Sequence, residues 1–150
     1  MEATVRPHKH IILDGLVTRP PSNEKEIIKF LAKIITDIGM VVAELSPQHN
    51  WLGKLFRLRQ PNPIAWYCAD PNNRGLTAGG ILTTSHIVMH VWDKPDPAPF
   101  HFDLYSCSDF NEKDIVRMLH DKFNIIECRV LIIDRENSDV PIQNFKWKKK

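Results

Sequence analysis

Between Gly75 and Cys107 the sequence GLTAGGILTTSHIVMHVWDKPDPAPFHFDLYSC sets three β-patterned runs one after another, and this limits the fold more than any other feature of the chain. Gly75–Thr84, His86–Trp92 and Phe100–Cys107 read as successive strands. The first two are divided only by the region of Ser85, the second two by a turn over Asp93–Pro99. In the middle run His86, Val88, His90 and Trp92 share one face, and Ile87, Met89 and Val91 share the other.

The flanking segments complete the pattern. His10–Val17 (HIILDGLV) is a short apolar run closed by Thr18-Arg19-Pro20-Pro21, which predicts a strand ended by prolines. Asn23 can cap a helix, with Glu26 three positions on and Glu24 also in the first turn. Ile27, Ile28, Leu31, Ile34, Ile35 and Ile38 then fall on one helical face until Gly39 ends it. Met40–Leu45 predicts another short strand. From Ser46 to Arg74 the pattern dissolves around Pro47, Pro61, Pro63 and Pro71, although Trp51, Leu52, Leu55, Phe56, Trp66 and Tyr67 keep the stretch apolar. A long irregular stretch of this kind walls a binding pocket or pads an interface. Ala65–Cys68 within it has the make-up of a short strand. After Cys107, Asp109 and Glu112 form the capping box of a second helix with the apolar stripe Ile115, Val116, Leu119 and Phe123. Ile125–Ile133 is a β-branched run, a last strand before a polar tail. Helices separated by runs of strands predict an α+β fold. This is a two-layer α/β sandwich, a mostly antiparallel sheet with both helices on one face, in one domain over residues 1–150.

Composition narrows the function classes. The chain carries 43% hydrophobic and 25% charged residues, the balance of an ordinary globular protein. A net charge of +2 gives no general case for nucleic acid, and the basic cluster Lys146, Lys148, Lys149 and Lys150 around Trp147 reads as a solvated tail. No run reaches the roughly 20 apolar residues of a membrane span. Arg6, His8 and Lys9 lead into no secretory core, because Asp14 interrupts the apolar run. The expected location is cytoplasmic. Cys68, Cys107 and Cys128 lack CxxC spacing, which suits free thiols in a reducing compartment.

The 75–107 segment is also where chemistry concentrates, with a serine, two histidines and a cysteine on adjacent strands. A Ser/His pair serves acyl transfer, although Ser85 lacks a GxSxG elbow. A Cys/His pair makes a thiolate, with Cys107 ionised by His90. His86 and His90 on one strand face suggest metal ligation, but four strand rises of about 3.3 Å separate them by about 13 Å, too far for one ion on a straight strand. The same histidines also suit a plain structural role as half-buried, hydrogen-bonded rings.

The segment resembles the prokaryotic S-adenosylmethionine decarboxylases. Gly75-Leu76-Thr77 matches the opening of the family signature, Thr84-Ser85-His86 its centre and His90-Val91-Trp92 the following strand end. Phe102-Asp103-Leu104-Tyr105-Ser106-Cys107 matches its last element, and His8-Lys9-His10-Ile11-Ile12-Leu13-Asp14 is similar to the family's first strand. The resemblance implies a proenzyme, or zymogen, that cuts itself between Thr84 and Ser85. Ser85 attacks the preceding carbonyl, the resulting ester eliminates, and hydrolysis leaves a pyruvoyl group on the new N-terminus. This covalent electron sink, which forms a Schiff base with the substrate amine, takes the place of pyridoxal phosphate, and no metal is implied. By the same resemblance His90 assists processing by proton removal, with Thr77 as a hydroxyl in the same step. Cys107, a thiol with a reference pKa of about 8.5, protonates the decarboxylated carbon. Trp92 is implied as an aromatic near the substrate, with core packing at a strand end as its plain structural alternative, and Asp93 is a candidate substitute for the family's acidic substrate-binding side chain. The resemblance further implies S-adenosylmethionine as substrate, spermidine synthesis as the use of the product, and a homodimer with sites at its interface.

The sequence departs from the family at two places. Thr84 stands where an acidic residue usually precedes the serine, and Asp93-Lys94 replaces a Pro-Glu pair. Lys94 repels a sulfonium, so this second departure bears on the substrate more than on the cofactor. It leaves ornithine or arginine as alternative substrates, and an unprocessed S-adenosylmethionine-binding relative as an alternative role.

Overall fold

Residues 8–44, 61–136 and 142–149 are described by the computed structural model of the chain. Trp51, Leu52, Leu55 and Phe56, Leu45, Arg6 and Lys150 lie outside them. Seven strands form one antiparallel sheet: β1 (Lys9–Val17), β2 (Ile64–Cys68), β3 (Gly75–Leu82), β4 (Ser85–Trp92), β5 (Ala98–Ser106), β6 (Ile125–Asp134) and β7 (Gln143–Lys148). Their spatial order is β2-β3-β4-β5-β1-β6-β7, so the first strand in sequence lies inside the sheet between β5 and β6. The expected α+β sandwich is the observed one.

Two helices, α1 (Glu24–Asp37) and α2 (Glu112–Phe123), supply the buried apolar positions that cover the sheet. α1 buries Ile27, Phe30, Leu31, Ile34 and Ile35, and α2 buries Ile115, Val116, Leu119 and Phe123. Phe30 and Phe123 join the two helices edge to face with ring centroids 4.7 Å apart. Lys122 of α2 meets Glu26 of α1 at 2.6 Å. That contact, aided by bonds from Ser22, holds the Glu26 carboxyl down at a pKa of about 2. The sheet answers with Ile11, Leu13, Ile87, Met89, Phe100, Phe102, Leu104, Val130 and Ile132, all buried. Asn23 caps α1 by accepting from Glu26 N at 3.0 Å, as its sequence predicts. Gly39 ends the helix region at φ +70, a left-handed conformation that costs glycine nothing. At Gly15 a β-carbon would sit 2.4 Å from Glu127 O, so β1 approaches β6 more closely there than any side chain permits.

Four local expectations are corrected. Of the expected Met40–Leu45 strand, the described residues 40–44 form no strand, and only Val42 pairs, in a single bridge to Leu82. The Asn62 side chain explains this, because its Nδ2 donates to both Ala43 O and Ile81 O while its Oδ1 accepts from Ile81 N, taking up the next rung. The second helix is capped by Asn111, which accepts from Lys113 N at 2.9 Å, rather than by Asp109. Asp109 instead binds Lys9 Nζ at 2.8 Å. The turn between β3 and β4 is Thr83–Thr84, so Ser85 is the first residue of a strand instead of part of a linker. The polar tail contains β7, whose residues are exposed apart from Trp147, half-buried against His120 at 4.9 Å. Phe145-Lys146-Trp147-Lys148 alternates apolar and charged side chains, but the run is too short and lysine-rich to stand out from a solvated tail.

Candidate active site

With one face of the sheet under the helices, the other carries the polar side chains. Register lines them up in rows across the strands. The middle row runs Thr77, His90, His101, Asp14 and Arg129 from β3 to β6. Thr77 Oγ1 lies 2.9 Å from His90 Nδ1. Burial and the neighbouring His101 hold the His90 imidazole below its usual range, so it is uncharged at neutral pH. Arg129 pairs with Asp14 at the other end of the row.

Nearer the β3–β4 turn lies a cluster that sequence reasoning missed. Asp103 accepts from His10 Nε2 at 3.0 Å on one oxygen and from His86 Nε2 at 3.1 Å on the other. Burial alone would raise the Asp103 carboxyl, but the bonds to His10 and His86 bring it below its usual range. The possible ligand atoms of these three residues lie within 4.8 Å of one another, the one such group among the described residues. Arg135 Nη1 is 3.4 Å from His10 Nδ1, which makes Nδ1 the acceptor and leaves the proton on Nε2 facing Asp103. A guanidinium behind the ring favours this hydrogen-bonded chain over a bound cation. His86 thus groups with His10 and Asp103 and not with His90. His10 and Asp103 are 93 positions apart; alternation places both on the open face, but only register brings them together.

At the turn itself, Thr84 adopts φ +74, a conformation that strains a β-branched residue. Its Oγ1 donates to Cys107 Sγ at 3.0 Å, and Cys107 N donates to Ser85 Oγ at 3.0 Å. The Ser85 side chain lies on the helix-covered side, 7% exposed. A cavity of about 510 Å³ opens beside this junction, lined by His8, Gly39, Met40, Val41, Thr83, Thr84 and Cys107. None of the three cysteines is in a disulfide. Burial pushes the Cys128 thiol up to about 11 and makes it inert, in contrast to Cys107 at the cavity wall.

Trp92 and Asp93 lie at the opposite end of β4, roughly 23 Å of strand from Ser85. Trp92 Nε1 donates to Asn73 Oδ1 at 2.7 Å, and its ring meets His101 edge-on at 4.9 Å. Asp93 Oδ2 accepts from Tyr67 Oη at 2.9 Å and pairs with Arg74 at 3.2 Å. Its Oδ1 is buried without a partner among the described residues. A carboxylate already paired with a guanidinium offers little net charge to a cationic ligand.

The chain therefore assembles Thr84, Ser85 and Cys107 at one end of β4, Thr77 and His90 farther along it, and Trp92 with Asp93 at the far end. His90 is five residues from Ser85, roughly 16 Å of strand, and its side chain leaves the opposite face. No helix among the described residues is long and apolar enough to cross a membrane. A search of curated protein sequences returns no match. Residues 9–136 match the S-adenosylmethionine decarboxylase family, and the chain belongs to that family of carboxy-lyases.

Proposed function

We propose that this member of the S-adenosylmethionine decarboxylase family cuts itself between Thr84 and Ser85 and then decarboxylates S-adenosylmethionine to provide aminopropyl groups for spermidine synthesis. The observation that carries the reading is the Thr84–Ser85 junction. A strained, left-handed Thr84 precedes a serine whose Oγ is already held by Cys107 N–H, beside an open cavity. Attack by Ser85 on the Thr84 carbonyl releases the strained peptide, which lowers the cost of the acyl shift. The family is pyruvoyl-dependent, and the site fits such a group: position 85 starts a strand at the edge of a cavity, where a new N-terminus meets solvent and the Cys107 thiol. When formed, the group supplies the electron sink for loss of carbon dioxide.

The chain's own residues take the remaining roles. His90, kept neutral by burial and steadied by Thr77 Oγ1, is the base that removes a proton during processing. Cys107 donates the proton to the decarboxylated carbon. Because Ser85 and His90 leave opposite faces of one strand, they cannot meet within a protomer. In the proposed homodimer, two open faces stacked about a twofold axis lay one protomer's Thr77, His90 and Trp92 over its partner's Thr84 and Cys107, the open-face side of the scissile junction, while the Ser85 side chain starts from the covered side. The stacked faces would also bury the His10–Asp103–His86 chain as a polar interface core. The substrate-binding part goes to Trp92, by stacking, whereas Asp93 serves through its hold on Tyr67 and Arg74. The proposed location is cytoplasmic.

An intact-mass spectrum under denaturing conditions tests the reading. Species matching residues 1–84 and a pyruvoyl-capped 85–150 are expected, and a single uncut mass after long incubation would overturn it. Release of carbon dioxide from S-adenosylmethionine, compared with ornithine and arginine, then fixes the substrate.

A further inference from the structure

The row nearest the turn contains one more ionisable group. Lys9 pairs with Ser106 across β1 and β5, so the next position outward sets His8 opposite Cys107. Both residues follow the parity of His10 and Tyr105 and face the open side. Cross-strand neighbours of this kind have β-carbons about 5 Å apart. Arg135 N donates to His8 O at 3.0 Å, which keeps His8 in line with β1. On the other flank Thr84 binds Cys107 Sγ, so the row reads Thr84, Cys107, His8, Arg135. His8 and Cys107 are the two titratable side chains lining the cavity of about 510 Å³ at the scissile junction.

The His8 ring is steered from one side. Its Nδ1 lies 3.2 Å from Glu136 Oε1 and within hydrogen-bond reach of Tyr105 Oη. Both contacts use Nδ1, and no hydrogen bond to Nε2 is found among the described residues. A carboxylate at one ring nitrogen with the other left open is how an imidazole is readied for proton transfer. Tyr105, whose ring meets His8 edge-on at 5.1 Å, separates it from Arg135, 5.4 Å above the Tyr105 ring, and from His10, 5.9 Å from the Tyr105 ring and bonded to Asp103.

We infer that His8, oriented by Glu136, resupplies the Cys107 thiol with its proton, so that the pair is the proton-handling unit of this cavity. The inference rests on the decarboxylase reading. In the step, Cys107 Sγ–H gives its proton to the carbon that has lost carbon dioxide and becomes thiolate. The His8 imidazolium passes its Nε2 proton to Sγ and becomes neutral. A hydronium ion from solvent in the cavity restores the imidazolium, so each turnover takes up one proton and transfers no electron to or from the pair.

The test reads the thiol directly, on the uncut Ser85→Ala chain, so that it does not depend on cleavage or turnover. Alkylation by iodoacetamide is followed at Cys107 by peptide mass mapping, with half-buried Cys68 as the internal reference. A histidine beside the sulfur promotes the thiolate, so adding His8→Gln should slow Cys107 alkylation roughly five- to tenfold near neutral pH and move its pH profile upward. Cys68 should keep its rate. His8→Asn, which retains a donor toward Glu136, should lose the same reactivity, and Glu136→Gln should shift the profile less in the same direction. Unchanged Cys107 alkylation in His8→Gln, or full reactivity in His8→Asn, overturns the inference even if the natural chain cleaves. Slowed alkylation in a protein whose natural form never cleaves keeps the His8–Cys107 pair and sinks the decarboxylase reading alone.

Discussion

The two faces of the sheet are made by the same strands and obey different rules. Under the helices, Ile87, Met89, Phe102 and Leu104 are interchangeable in kind: each position asks for an apolar side chain of suitable volume. On the open face, His86, His90, Asp103 and Tyr105 are held by named partners at set distances. The covered face carries stability, and the proposed chemistry draws on the open face together with Ser85, whose side chain starts on the covered one. Substitutions should separate the two.

The largest effect is expected at the junction between the faces. Ser85→Ala should abolish cleavage while leaving the far-ultraviolet circular dichroism unchanged, since Ser85 contributes one small side chain to the core. Cleavage in this variant, seen by intact mass, would move the reaction to another residue. On the covered side, Phe102→Ala should cost about 3–5 kcal/mol in denaturant unfolding of the uncut chain. A loss below about 1 kcal/mol there would break the division of labour between the faces. His90→Gln should do the reverse, slowing cleavage severely with little change in stability. Because His90 titrates below the usual imidazole range in the folded protein, the folded state binds fewer protons than the unfolded chain below about pH 6.5. Its contribution to stability therefore falls on acidification through that range, and His90→Gln should remove this part of the pH dependence. The smallest effects concern strain and surface charge. Thr84→Gly should stabilise the uncut Ser85→Ala chain by about 1 kcal/mol and slow cleavage of the natural one, since glycine carries no left-handed penalty. Glu26→Gln should cost about 1 kcal/mol at neutral pH and nothing once acid has protonated the carboxyl, because the Glu26 contribution is lost as pH falls toward about 2.

What could be read from the sequence follows the same division. Alternation in His86–Trp92 and the stripe Ile27, Leu31, Ile34 and Ile35 report burial on one side, and burial is a local property of spacing. The architecture was legible for that reason. Contacts on the open face depend on register between distant strands, so His8 opposite Cys107 and His10 against Asp103 were not. Asp109 illustrates a second limit. It has a capping residue's chemistry, but Lys9, 100 positions away, draws it off, and Asn111 caps instead. Thr84 illustrates a third, since its strain comes from a two-residue turn between strands whose ends composition does not mark.

The position of β1 has a consequence for a chain cut at residue 84. The piece ending at Thr84 holds β1, β2 and β3, and the piece beginning at Ser85 holds β4 to β7, yet β1 lies between β5 and β6. The two pieces are therefore interleaved, and three ladders join them: β3 to β4, β5 to β1 and β1 to β6. Pulling them apart means opening the sheet at its middle, so the nicked protein should persist as one body. Once unfolded, however, its two pieces must find each other in solution, so recovery would slow on dilution, whereas the intact precursor refolds at a rate indifferent to concentration.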